Sequence, residues 1–470
     1  MTYLILNIIK TMTSHYLSDC TTLTQDMIDD LPICDIHVHL PGVISPNIAW
    51  DLGVKNKLVT IEKKSNGKYS YSNGPNSLAV ENPHEHYTDI FDRDFYLDDM
   101  GRPQNLKYNI GFESFKSFDR IMATIQGHRY PPGGIQTKDD MLFVLDKYLD
   151  ECIRQKIFYT ELQQNIKIAY LLFPNEKPEN ARKQLYLLFQ DVIKKYQNNG
   201  IKLRFLHCFN KTQIAGEKKS THERTLEAAS WLEEAQKIAP GVFVGIESAG
   251  HEKDKTGWPI HLKAGYEKVK ELGLGCEAHG GEGIGVEYML DVVKTLPITR
   301  LAHGFQILED IDVIEYVKQS GITLIMMPVI NLNLGLCLHV KEKNKGEYIP
   351  CAKTKGGKRI YIRDLWKHPF FELFRKHKMK ITLSSDNPNI GGMPIKNIIS
   401  TLAGLNKEHK IPKGFHPLKA EELVTLCMNG AEAIFEAKSI KDEYKKLLFH
   451  WIGKYNINYN EREALSLKEN

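Results

Sequence analysis

Short apolar, β-branched runs recur along this chain, and most are followed by a stretch whose apolar positions fall at helical spacing. Eight such runs, at residues 33–39, 157–162, 201–208, 242–248, 274–279, 299–303, 322–328 and 380–385, predict strands. Amphipathic or helix-forming stretches lie at 138–155, 179–198, 222–237, 261–272, 285–295, 309–319 and 366–378. Strands that alternate with helices predict parallel βα units. Eight of them predict an α/β fold of the closed (β/α)8 TIM-barrel type. The rival, an open doubly wound sheet, would bring a glycine-rich phosphate turn after its first strand. His37-Val38-His39-Leu40-Pro41-Gly42 is no such turn.

Two segments interrupt the alternation, at about 53–111 and 336–365. Both follow predicted strands, so both are expected over the C-terminal face of the barrel, where active sites of this architecture lie. Residues 395–465 read as several additional helices, and residues 1–30 as an N-terminal extension. The whole chain, 1–470, is therefore expected to form a single barrel domain with inserted segments and extra C-terminal helices.

Charge narrows the partners. Lysine and arginine number 62 against 58 acidic residues, a net charge of +4 spread over many positions. This gives no global electrostatic argument for nucleic acid or a membrane surface. No apolar segment approaches the ~20 residues that span a bilayer. The opening Tyr3–Ile9 run has no basic residue before it and reads as a terminus rather than a signal peptide. The eight cysteines are dispersed without a Cys-x-x-Cys pair, which fits a reducing compartment and a cytoplasmic location.

The candidate chemistry sits at the predicted strand ends. Side chains alternate along a strand, so His37 and His39 share a face and can converge on one ion. His84-Glu85-His86 repeats the spacing, but in a polar, loop-like stretch. The fifth strand ends in His279-Gly280-Gly281-Glu282, the sixth in His303-Gly304 and the eighth in Ser385-Asp386-Asn387-Pro388. A histidine near a strand end is more often structural than a ligand. Four such positions in one barrel favour a site. Three imidazoles (His37, His39, His279) and the Asp386 carboxylate suit zinc, which lowers the pKa of a bound water to about 7; the residues leave other divalent ions open. Glu282 is placed to deliver a proton to a ring nitrogen, His303 to orient the attacking water, and Asp386 to accept that water's proton.

These blocks, with Glu247-Ser248-Ala249-Gly250-His251-Glu252 and Leu308-Glu309-Asp310, resemble the adenosine deaminase family of metal-dependent hydrolases in order and spacing from about residue 32 to 435. The resemblance implies one zinc ion per chain, held by His37, His39, His279 and Asp386, and hydrolytic release of ammonia from a 6-aminopurine. It implies Glu282, His303 and Asp386 as catalytic residues. It also implies substrate contacts from the Gly250 backbone, from Asn387 at the purine N7 and from His39. Phe112, Phe115 and Phe118 match the segment that covers the ribose end, although the apolar face of an ordinary helix explains them equally well. Two positions depart from the pattern. Pro41 stands where the family places the aspartate that holds the ribose 5′-hydroxyl, and Asn387 where it places a second aspartate. Gln163 stands where many relatives have an arginine. The expected substrate is adenosine or an adenine nucleoside or nucleotide with a modified 5′ end, including a larger adenine-containing group; Pro41 and the basic stretch at Lys353, Lys355, Lys358 and Arg359 motivate this. The alternatives are free adenine, an N6-substituted purine nucleotide or another aminated heterocycle, and, more remotely, a non-catalytic nucleoside-binding protein.

Overall fold

The computed structural model describes residues 20–57, 134–333 and 365–459 apart from a few loop positions, with short strands between them at 60–63, 69–72, 77–80, 340–343 and 347–350. All eight expected strands are present: β1 (Ile33–His39), β2 (Ile157–Gln164), β3 (Lys202–Asn210), β4 (Phe243–Ala249), β5 (Gly275–Gly280), β6 (Arg300–His303), β7 (Thr323–Met326) and β8 (Ile381–Leu383). They pair in parallel, each with the next in chain order. The two ends of the sheet meet at a bridge between Val38 and Asp386. There His39 N–H donates to the Asp386 carbonyl (2.8 Å), and Asp386 N–H donates to the His37 carbonyl (2.9 Å). The result is a (β/α)8 TIM barrel.

Every residue of β1 and of β2 is buried, as expected for parallel strands covered on both faces. The helices that cover the barrel strands begin where local chemistry satisfies their free N–H groups. Thr137 and Asp140 form a reciprocal capping box at the start of Lys138–Arg154, and Ser220 and Glu223 do the same for Thr221–Ile238.

Charge is also buried inside the barrel. Arg300 of β6 contacts Glu161 of β2 and Glu277 of β5, each at 2.6 Å, and all three side chains are fully buried. Its guanidinium lies 3.5 Å from the centre of the Phe435 ring and donates to the Ala433 carbonyl. A buried cation held by two carboxylates and an aromatic face is satisfied on several sides, which is what keeps its desolvation tolerable.

The C-terminal helices Ala420–Ala433 and Lys438–Lys454 close the structure. Asn429 donates to the Ile381 carbonyl of β8, Tyr444 to that of Pro32, and Trp451 to that of Met27. The inserted segments contain more order than their composition suggests. Helix Pro46–Lys55 runs into the first insertion, followed by a three-stranded antiparallel sheet, and the second contains the antiparallel pair 340–343 and 347–350. Four-residue strands such as Thr60–Lys63 are too short and too polar to register as hydrophobic periods.

Candidate active site

β1 brings His37 and His39 to the mouth of the barrel, where β5 presents His279, β6 presents His303 and Asp386 stands three residues beyond the last residue of β8. The ligand atoms of His37, His39 and His279 lie within 4.8 Å of one another, as do those of His37, His303 and Asp386, and those of His279, Glu282 and His303. His39 Nε2 is 3.3 Å from His279 Nε2 and 3.6 Å from Asp386 Oδ1. His37 Nε2 is buried with no hydrogen-bond partner. Two imidazole nitrogens at 3.3 Å and a third with nothing to bond make sense as donors converging on a cation, so the residues fit a metal ion.

A second layer aims these rings. His37 Nδ1 meets Glu277 Oε1, and the Gln163 amide nitrogen lies 2.6 Å from that ring nitrogen while donating to the same Glu277 oxygen at 3.0 Å. His279 Nδ1–H donates to Glu247 Oε2 at 2.9 Å. Asn331 donates to His303 Nδ1 at 2.9 Å, which leaves the hydrogen of the neutral ring on Nε2. That Nε2 lies 3.5 Å from Glu282 Oε1 and 4.0 Å from Asp386 Oδ2. Asp35, two residues before His37, accepts from Ser385 N–H (3.0 Å) and Ser385 Oγ–H (2.6 Å), fixing the turn that carries Asp386. Both His303 and Asp386 take left-handed backbone angles (φ 64° and 62°), a conformation uncommon outside glycine and frequent at functional sites.

Electrostatics separate the groups. Burial pushes His39, His279 and His303 well below the ordinary histidine range, with neighbouring imidazoles adding to the effect. Burial opposes the charged form of His37 too, but the Glu277 carboxylate outweighs it and holds its pKa up. Glu277 itself stays near 2 despite its burial, because Arg300 and His37 stabilise the carboxylate. Glu282 goes the other way: burial, then Asp386 and Glu252, push it well above the carboxylate range, which favours its protonated form.

The cluster contains His37, His39, His279, His303, Glu282 and Asp386. Gly250 lies just beyond β4 at φ 110°, where a Cβ would come within 2.7 Å of the Thr212 and Asn210 side chains, so only glycine fits. Asn387 turns its amide nitrogen onto Asp386 Oδ1 (2.5 Å), leaving its own oxygen buried and unpaired. Pro41 is buried in the 3-10 turn Leu40–Val43. Phe112, Phe115, Phe118 and the pair His84 and His86 lie outside the described residues, as do Lys353, Lys355, Lys358 and Arg359. Sequence reasoning missed Glu277, Asn331 and the buried Lys211. A strand with acidic and imidazole residues at i and i+2, as in Glu277-Ala278-His279, was the available signal for the first.

A (β/α)8 barrel with imidazoles and carboxylates gathered at its mouth defines a hydrolase of the amidohydrolase type. The adenosine deaminase family model matches residues 102–344, just over half of the chain, and the chain belongs to that family of hydrolytic deaminases, whose members act on small purines such as adenine or adenosine. An adenine deaminase of Vibrio parahaemolyticus is 20% identical over 434 residues, spanning 91% of this chain and 98% of its own. The crystal structure of an adenine deaminase from Arthrobacter aurescens has the same fold, with TM-score 0.62 and 16% identity over 90% of this chain and 99% of its own. An amidohydrolase from Burkholderia ambifaria, with bound zinc, gives TM-score 0.63 at 14% identity, covering 96% of this chain and 98% of its own. Among the described residues no helix is long and apolar enough to cross a membrane.

Proposed function

We propose that this protein is a zinc-dependent 6-aminopurine deaminase whose substrate is free adenine. The observation that carries the chemistry is the 3.5 Å contact beside the imidazole cluster between buried Glu282, whose pKa burial raises, and buried His303, whose pKa burial lowers. His37, His39, His279 and Asp386 would hold the metal, which supplies an activated water at neutral pH. Glu282 gives its proton to the purine ring nitrogen, making the adjacent carbon electrophilic. His303, with Nε2–H directed at the site, holds the oxygen that attacks and the negative charge that develops on it. Asp386, raised to about 7 by burial, takes the proton released by that oxygen. Addition of water and loss of ammonia convert the amino group to a carbonyl.

Free adenine is favoured over a nucleoside for two reasons. An adenine deaminase matches this chain over nearly the whole of both lengths. Pro41 also leaves no carboxylate where a ribose hydroxyl would be held, which costs nothing when the substrate has no ribose. The same loss supports a second reading, an adenine nucleoside or nucleotide with a modified 5′ end, because it removes repulsion against an anionic group there. Ammonia release from adenine, adenosine, AMP and 5′-methylthioadenosine, with metal content measured on the same sample, tests both. The expected result is kcat/KM highest for adenine and about one zinc per chain. A clear preference for plain adenosine would overturn the assignment.

A further inference from the structure

Lys211 is a fully buried lysine that the mechanism above does not use. It follows β3, its backbone N–H donates to the Ala249 carbonyl, and its Nζ lies 3.5 Å from the carbonyl oxygen of His279 and 4.8 Å from the centre of the Tyr288 ring. The turn Lys255–Gly257 closes directly over it: a Cβ on Gly257 would fall 2.5 Å from the Lys211 carbonyl oxygen, so glycine permits the approach. Next to it Trp258 donates from Nε1 to the Glu252 carbonyl and meets edge-on the Tyr288 ring on which Lys211 lies. An ammonium sealed in this way costs several kcal/mol in lost hydration unless negative groups offset it. The offsetting groups are identifiable. Burial works against the charge, but Tyr288, Glu252 and Glu282 hold the Lys211 pKa above that of an ordinary lysine. Glu252 is in turn tied to the catalytic turn, since its Oε1 accepts the backbone N–H of Glu282 at 3.1 Å.

We propose that Lys211 is a positioning residue for Glu282. It anchors the His279–Glu282 turn through the His279 carbonyl and Glu252, and stabilises the Glu282 carboxylate formed when its proton moves to the purine. In that step the Glu282 O–H bond breaks and an N–H bond forms on the ring. The cation that would face the carboxylate left behind is held beforehand against the His279 carbonyl and the Tyr288 ring, and so needs no reorganisation. The inference rests on the proton-donor role given to Glu282 above.

The test is steady-state deamination by Lys211→Met and Lys211→Arg, with zinc content and Tm measured on the same preparations. Lys211→Met is expected to lower kcat roughly 10- to 100-fold, a share of what a general acid contributes, with KM within threefold and zinc unchanged. Lys211→Arg, which keeps the charge, is expected to recover most of the loss. Lys211→Gln reads the same quantity if the Met variant does not fold. Unchanged kcat in the neutral variants, equal losses in the Arg and Met variants, or failure of both neutral variants to fold would overturn the proposal. No ammonia release by the unaltered protein on any purine would instead overturn the function on which it rests.

Discussion

Glu247 accepts the Nδ1–H of His279 at 2.9 Å, and the opposite ring nitrogen of His279 therefore faces His39 Nε2 at 3.3 Å. One fully buried carboxylate thus fixes both the tautomer and the direction of a candidate ligand. Glu247→Ala is expected to weaken metal binding about 10- to 100-fold, as loss of such partners does. Glu247→Gln, whose amide oxygen can still accept the bond, should lose much less. Competition with a chromophoric chelator measures both. Equal affinity in the Ala variant and the unaltered protein would remove Glu247 from this role.

Glu282 contacts His303 but is not among the four proposed ligands. Glu282→Gln is expected to reduce kcat at least about 100-fold while leaving zinc stoichiometry and Tm near those of the unaltered protein. Metal analysis and a melting curve on the inactive variant separate proton donation from site assembly.

Arg300 neutralises two buried carboxylates at once. Met at this position leaves Glu161 and Glu277 without the Arg300 Nη2 that they share. Arg300→Met is expected to lose about 3–5 kcal/mol of stability, the usual cost of an orphaned buried charge. A urea midpoint close to that of the unaltered protein would show that the cluster tolerates neutralisation by proton uptake.

Two buried histidines away from the cluster set an acid limit. His207 Nδ1 accepts from Ile166 N–H and His368 Nδ1 from Phe370 N–H, and burial holds each pKa down to about 3. Their ordinary value is about 6.5, so the unfolded chain binds more protons between the two. The stability they contribute is complete above pH 6.5 and falls as pH drops toward 3, by at most about 1.4 kcal/mol per unit for each ring. His207→Asn with His368→Asn keeps an acceptor for each N–H without a titrating ring. The double variant should show a smaller fall in urea midpoint between pH 7 and pH 5 than the unaltered protein.

Much of this was legible in the residues. The alternation of runs located all eight strands, because parallel barrel strands are continuous apolar segments and their flanking helices have a distinct period. His37, His39, His279, His303, Glu282 and Asp386 stood at strand ends that the structure brings to one mouth. What the sequence concealed was the layer beneath. Glu277 and Arg300 face each other across the paired strands β5 and β6, and only barrel closure brings Gln163 of β2 to them. The unexplained Gln163 now has a place: its amide braces the carboxylate beside His37, while Arg300 provides the positive charge. Lys211 escaped notice because a lysine that opens the polar stretch after an apolar strand reads as solvated, whereas its side chain is fully buried against the His279 carbonyl and the Tyr288 ring.

Asp386 also joins β8 to β1, through the paired bonds with His37 and His39. The seam that shuts the cylinder and the edge of the catalytic cluster are built from the same three residues, their backbones forming the one and their side chains the other. A nascent chain released only as far as β7 has the four histidines and Glu282 of the cluster but no seam and no Asp386. Turnover therefore reports completed synthesis and closure together. The native chain asks β1 and β8, its first and last barrel strands, to find each other across the whole sequence, whereas a permuted chain that joins the two old ends would make them consecutive.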